Sequence, residues 1–159
     1  MSSAPQVSSY RIEALENHHF PLVHELVEER IQQEGLKASF YWPYDYLFSE
    51  LLAARGFVLL DSQDQVLAFI LYRDLKYEWE ISCLTVAWGY ERQGFMKALI
   101  GHLLTSRKFQ PLTHDIKVYL EVHESNRAAQ SLYETMGFVK TAERKAYYKD
   151  GAAAFVYLA

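Results

Sequence analysis

The segment Tyr90–Leu99, YERQGFMKAL, stands where an apolar, β-branched run (Ile81–Ala87) hands over to a helical stripe of Phe95, Met96, Leu99, Ile100, Leu103 and Leu104. A glycine at such a junction lets backbone N–H groups come close to a ligand. The first turn of a helix adds unpaired N–H donors and the positive end of the macrodipole, which suits a phosphate. Arg92, Gln93, Gly94, Phe95, Met96 and Lys97 are therefore a candidate diphosphate cradle. Taken alone, a strand–turn–helix with one glycine also reads as an ordinary turn. Other reactive residue types point less sharply. His123 closes a strand and could serve as a base, but a lone histidine there is more often at the surface. Cys83 reads as a buried strand residue, since an acyl-cysteine route needs a lowered pKa and a basic partner. His18, His19 and His24 lack a metal-ligand set, so no metal is expected.

The elements that must position these residues alternate between helix and strand. Ser9–Leu15 reads as a short first strand. Asn17 is placed to cap a helix with the stripe Leu22, Val23, Leu26, Val27 and Ile31, closed by Gly35. Leu36–Trp42 reads as a loop, and Pro43 opens a second helix with Leu47, Phe48, Leu51 and Leu52, ended by Gly56. Phe57–Leu60 and Val66–Tyr72 form a hairpin across Asp61–Gln65, and Tyr77–Val86 is the next strand. A helix over about Gln93–Arg107 follows. In Ile116–His123, Ile116, Val118, Leu120 and Val122 share one face, while Lys117, Tyr119, Glu121 and His123 share the other. Ser125 or Asn126 caps a helix with Ala128, Ala129, Leu132, Tyr133 and Met136, ended by Gly137. Two closing strands flank the turn pair Asp150-Gly151.

Composition sets the outer bounds. The 159 residues are half hydrophobic and 15% aromatic, enough for one core, and no linker, repeat or low-complexity run marks a second. We expect a loose tail over residues 1–8 and a single domain over 9–159. The net charge of −4 argues against broad nucleic-acid binding. A single cysteine excludes a disulfide framework. No signal peptide or membrane-length apolar run is visible, so a soluble cytoplasmic protein is expected. G-x-G-x-x-G and G-x-x-x-x-G-K-[ST] are both absent, which disfavours dinucleotide oxidoreductases and nucleoside triphosphatases.

Taken together, the motifs of the second half resemble the GNAT acetyltransferases: a strand ending in valine, the loop GYERQGFMKAL, the strand YLEVHESN and the helix AAQSLYETMGF, in that order. The run L-E-V-x-x-S-N-x-A-A-x-x-L-Y is similar to the RimI-type ribosomal-protein alanine N-acetyltransferases, as are Phe40–Tyr44 and Arg144-x-x-Tyr147-Tyr148. The resemblance covers about Ile81 to the C-terminus. It implies a mixed α/β fold, with a central, mostly antiparallel sheet of six to seven strands splayed between the fourth and fifth and flanked by about four helices. It also implies acetyl-CoA as donor. Leu84, Thr85 and Val86 would offer a backbone edge to it, Arg92–Lys97 would hold its diphosphate, and Asn126 would contact the pantetheine arm or cap its helix. Two positions depart from the family pattern: Glu91 stands for the usual Gln or Arg, and Met96 for the usual Gly or Ala. Glu91 is thus expected to turn outward from the diphosphate, and the Met96 side chain to face the core. Trp88-Gly89 also replaces a proline-containing turn.

By the same resemblance, Glu121 corresponds to a general base and Tyr133 to the acid that protonates the departing thiolate. From the residues alone, Glu121 also reads as a solvated strand glutamate paired with Lys117 or Arg127, and Tyr133 as a core tyrosine. Tyr147 and Tyr148 would lie on the acceptor side, and Trp42 and Tyr44 belong to an aromatic cluster that shapes the acceptor mouth or covers the core. The implied acceptor is a primary amine such as the N-terminus of a ribosomal protein, handled without membrane contact by a monomer or homodimer. At pH 7 roughly 10–15% of an α-amine of pKa ≈ 7.7–8.0 is neutral, against about one lysine in 2,500. A modest base therefore suffices for an N-terminal acceptor. A small-molecule acetyltransferase and a non-catalytic CoA-binding module are the alternatives.

Overall fold

The computed structural model describes residues 5–34, 44–109 and 115–159. Seven strands form one sheet: β1 (Arg11–Ala14), β2 (Arg55–Leu60), β3 (Val66–Asp74), β4 (Glu78–Val86), β5 (Lys117–His123), β6 (Val139–Arg144) and β7 (Ala154–Leu158). Their order is β1-β2-β3-β4-β5-β7-β6. Every neighbouring pair is antiparallel except β4 and β5. A parallel pair needs a crossover, which α3 (Phe95–Ser106) supplies. The other helices are α1 (Phe20–Glu34), α2 (Tyr44–Ala53) and α4 (Arg127–Thr135). This is the expected mixed α/β architecture. Among the described residues no helix is long and apolar enough to cross a membrane.

The sheet is covered on both faces, which is why β3 reads as the unbroken apolar run VLAFILY. On one face Leu99, Ile100 and Leu103 of α3 pack over Leu67, Ile70, Trp79, Val118 and Tyr157. On the other, Val23, Leu26, Val27, Leu47 and Leu51 of α1 and α2 cover Val58, Leu60, Phe69, Leu71 and Cys83.

Several local expectations are corrected. Glu16, not Asn17, caps the first helical turn, with its N–H donating to His19 Nδ1 at 3.0 Å. Leu22, Phe48 and Leu52 are exposed, so the two apolar stripes are narrower than the sequence suggests. Gly56 is no helix stop but part of β2, where a Cβ would lie 2.4 Å from the Ile70 carbonyl. The closing hairpin is wider than a two-residue turn, with Tyr147 and Tyr148 N–H both donating to Ala152 O across a 145–153 connection. Gly35, the 36–42 loop, Trp42 and Pro43 lie outside the described residues.

Candidate active site

β4 and β5 are paired only from Glu78–Ile81 to Lys117–Leu120. Beyond that point they part, because β5 continues to His123 beside β7 while β4 runs on to Val86 beside β3. The register of β4 against β3 slips opposite Ser82, between the pairs Leu71–Cys83 and Tyr72–Ile81. An extra residue in one strand increases local twist, which carries the end of β4 away from β5. The resulting notch has a volume of about 140 Å³. Its walls include Ser82 and Leu84 from β4, Glu121 and His123 from β5, Asn126 and Tyr133 from α4, and Tyr148.

The edge of β4 that faces the notch follows from strand alternation. Ala87 N–H donates to Leu67 O, so Ala87 and Thr85 turn their main-chain groups toward β3, and Leu84 and Val86 turn theirs the other way. Thr85 is therefore set apart from the two residues beside it, with which the sequence groups it.

The loop that follows carries three left-handed residues, Gly89, Arg92 and Gly94, with φ of 82°, 65° and 81°. Space around Gly89 and Gly94 is open, with nothing within 4 Å of a Cβ built on either. The first bond of α3 runs from Ala98 N to Gly94 O. Helix geometry thus leaves the N–H groups of Phe95, Met96 and Lys97 without an intrahelical partner. Phe95 is buried and Met96 packs against the core, as its position requires, while Arg92 and Lys97 are exposed. The Gln93 side chain is turned elsewhere: its amide receives Val7 N–H at 3.2 Å and donates to Pro5 O at 3.0 Å, pinning the N-terminal segment beside the loop. A diphosphate fits this cradle of free amides and exposed cations.

Across the notch, Glu121 is mostly buried and pairs with Arg144 Nε at 3.0 Å. Tyr147 hydrogen-bonds the same carboxylate, which raises the tyrosine's pKa. Lys117 and Arg127, the partners expected from sequence, are not the ones the strand supplies. Asn126 caps α4, accepting Ala129 N–H at 3.1 Å, and also lines the notch. Burial pushes the Tyr133 phenol up to about 12, with smaller contributions from Cys83 and Tyr148. Burial first, then Glu121, pushes Tyr148 to about 12 as well.

His123 is held rather than poised. Its Nδ1 accepts Ser125 N–H at 3.1 Å, so the proton of the neutral ring sits on Nε2, 3.0 Å from Asp150 Oδ2. Both nitrogens are thereby engaged, which leaves no lone pair for an incoming amine. Cys83 is buried in the same wall and its thiol is pushed well above the ordinary value by burial. Three positioning features had no sequence signal. Gln130 is buried and donates to His123 O and Glu124 O, locking α4 to the end of β5. Ser82 Oγ is buried without a hydrogen-bond partner among the described residues. Arg30 reaches the loop before α3 from α1. The side chain of Tyr44 falls, like Trp42, outside what the structure describes.

A split sheet, a free β4 edge and an amide-lined loop at the start of the following helix define an acyl-CoA-type transferase scaffold, and comparison with known proteins agrees. The acetyltransferase (GNAT) family model matches residues 17–138. The chain belongs to the GNAT acetyltransferase family. A ribosomal protein bS18-alanine N-acetyltransferase of Haemophilus ducreyi is 33% identical over 86 residues, 54% of this chain and 57% of that protein. The chain's match thus spans little more than half the length of such curated relatives. The crystal structure of the ribosomal-protein-S18-alanine N-acetyltransferase from Escherichia coli superposes with a TM-score of 0.79 at 26% identity, over 94% of this chain and 92% of that one. Arabidopsis thaliana NAA60 in complex with acetyl-CoA shares the fold, with a TM-score of 0.74 at 14% identity over 95% and 99% of the two chains.

Proposed function

We propose that this chain is an acetyl-CoA-dependent N-acetyltransferase whose acceptor is a protein N-terminal α-amine, such as that of a ribosomal protein. The observation that carries this reading is the single notch that Leu84, Glu121, Asn126, Tyr133 and Tyr148 line together. The outward main-chain groups of Leu84 and the N–H of Val86 form the edge along which a pantetheine arm pairs, Val86 O being held by Arg30. The amides of residues 95–97 hold the diphosphate.

Glu121 takes the proton of the attacking amine as the C–N bond forms on the thioester carbonyl. The C–S bond then breaks, and the Tyr133 phenol gives its proton to the departing sulfur. The proton on Glu121 restores the phenol through solvent. A phenol at about 12 is a weak acid. The leaving thiolate, however, meets the same desolvation. Cys83, a thiol in that wall, shows its direction, since burial raises it too. Donor and acceptor of the proton are thus shifted in the same direction.

Names of the relatives support a peptide acceptor, and so does the small demand on the base. The test is thiol release from acetyl-CoA with peptides beginning in Ala or Ser, run against polyamines and aminoglycosides. Turnover with the peptides alone is expected. Turnover confined to the small amines would overturn the acceptor class, and none with any acceptor would overturn the enzyme.

A further inference from the structure

Arg30 is a residue of α1, yet its side chain ends at the donor loop. Nη1 donates to Val86 O at 2.7 Å and to Glu91 Oε1 at 2.8 Å. Nη2 pairs with Glu34, and the guanidinium carbon lies 5.7 Å from the centre of the Trp88 ring. One largely buried cation, 17% exposed, therefore joins the end of α1, the end of β4 and the turn into the cradle. A planar guanidinium can do this because its five N–H groups diverge in a fixed fork.

Two of these partners matter to the donor. Val86 O is among the outward main-chain groups of β4, so its direction fixes the last residue of that edge. Glu91 brings a negative charge next to the loop assigned to the diphosphate. Its bond to Arg30, a cation it shares with Glu34, turns the carboxylate toward α1. We propose that Arg30 is a positioning residue for acetyl-CoA: it sets the end of β4 and keeps the charge of Glu91 away from the diphosphate. This rests on the donor site of the proposed function. Glu91 stands where the motif resemblance leads one to expect Gln or Arg.

Calorimetry with CoA, beside steady-state kinetics, tests the proposal on wild type, Arg30→Met, Arg30→Lys, Glu91→Gln and the double variant Arg30→Met/Glu91→Gln. Arg30→Met leaves Glu91 unpaired near the diphosphate and Glu34 unpaired at the end of α1, so CoA Kd and acetyl-CoA KM are expected to rise about tenfold. kcat and acceptor KM are expected to stay within about twofold, and added salt to narrow the deficit. Removing the Glu91 carboxylate as well should bring Kd back to within about threefold of wild type. Arg30→Lys keeps the charge but not the fork, so a loss of about threefold is expected even if the methionine variant folds poorly. Unchanged CoA binding in the folded Arg30 variants, or a double variant no better than Arg30→Met, would overturn the proposal. A wild type that takes up no CoA would overturn the donor site and the proposal with it, which separates the two failures.

Discussion

Arg144 Nε lies 3.0 Å from Glu121 Oε1, so the carboxylate proposed as base already holds a cation. Arg144 is more than half exposed, on an edge strand, whereas Glu121 is mostly buried. An acceptor that arrives as an ammonium competes with Arg144 for that carboxylate. An ion pair with one solvent-exposed partner, at the scale of surface pairs, contributes about 0.2–1 kcal/mol. Arg144→Met is therefore expected to lower acceptor KM by up to about fivefold and to leave acetyl-CoA KM unchanged. An unchanged acceptor KM would mean that the ammonium does not meet Glu121.

Glu121→Gln keeps shape and hydrogen bonding but removes the proton acceptor. Loss of a general base lowers kcat by roughly 10²–10⁴. The loss should be largest near pH 7, where only roughly 10–15% of an α-amine is neutral, and should shrink above pH 8 as the free base accumulates. A deficit that does not change between pH 6.5 and pH 9.5 would point to a role in binding rather than proton removal.

Tyr133 makes a prediction about the wild type itself. With its pKa near 12, the phenol stays protonated well beyond the α-amine's titration. The pH profile of kcat should then carry no falling alkaline limb below about pH 10 from this residue. Tyr133→Phe is expected to lose about 100-fold in kcat with donor KM little changed. A wild-type profile that falls with an apparent pKa near 9 would contradict an acid this deeply desolvated.

Most of the scaffold is legible in the chain because its signals are local. Alternation in KVYLEVH, the Asn126 cap and the stripe from Phe95 to Leu103 each arise within a few residues, and the structure keeps all three. Gly56 shows where locality fails. It reads as a helix stop, but what requires glycine there is the Ile70 carbonyl, 14 residues away on β3. The site divides in the same way. That Glu121, Asn126 and Tyr133 converge follows from a strand leading directly into its helix. Arg30 comes from 56 and 61 residues before its partners at Val86 and Glu91, and no spacing rule links them. His123 is likewise neutralised as a candidate base by Asp150, 27 residues on.

Ser82 separates stability from function. Its hydroxyl is buried in the notch without a partner among the described residues, and such an orphan costs about 1–3 kcal/mol. Alanine removes the orphan and leaves the bulged backbone in place. Ser82→Ala is thus expected to stabilise the free protein by about 1 kcal/mol in denaturant unfolding. If the hydroxyl is kept to meet the substrates between β4 and β5, the same change should lower kcat/KM by about tenfold. The two measurements must move in opposite directions. Loss of stability together with activity would show that Ser82 bonds within the fold instead, and the notch would then owe its chemistry to Glu121 and Tyr133 without help from β4 side chains.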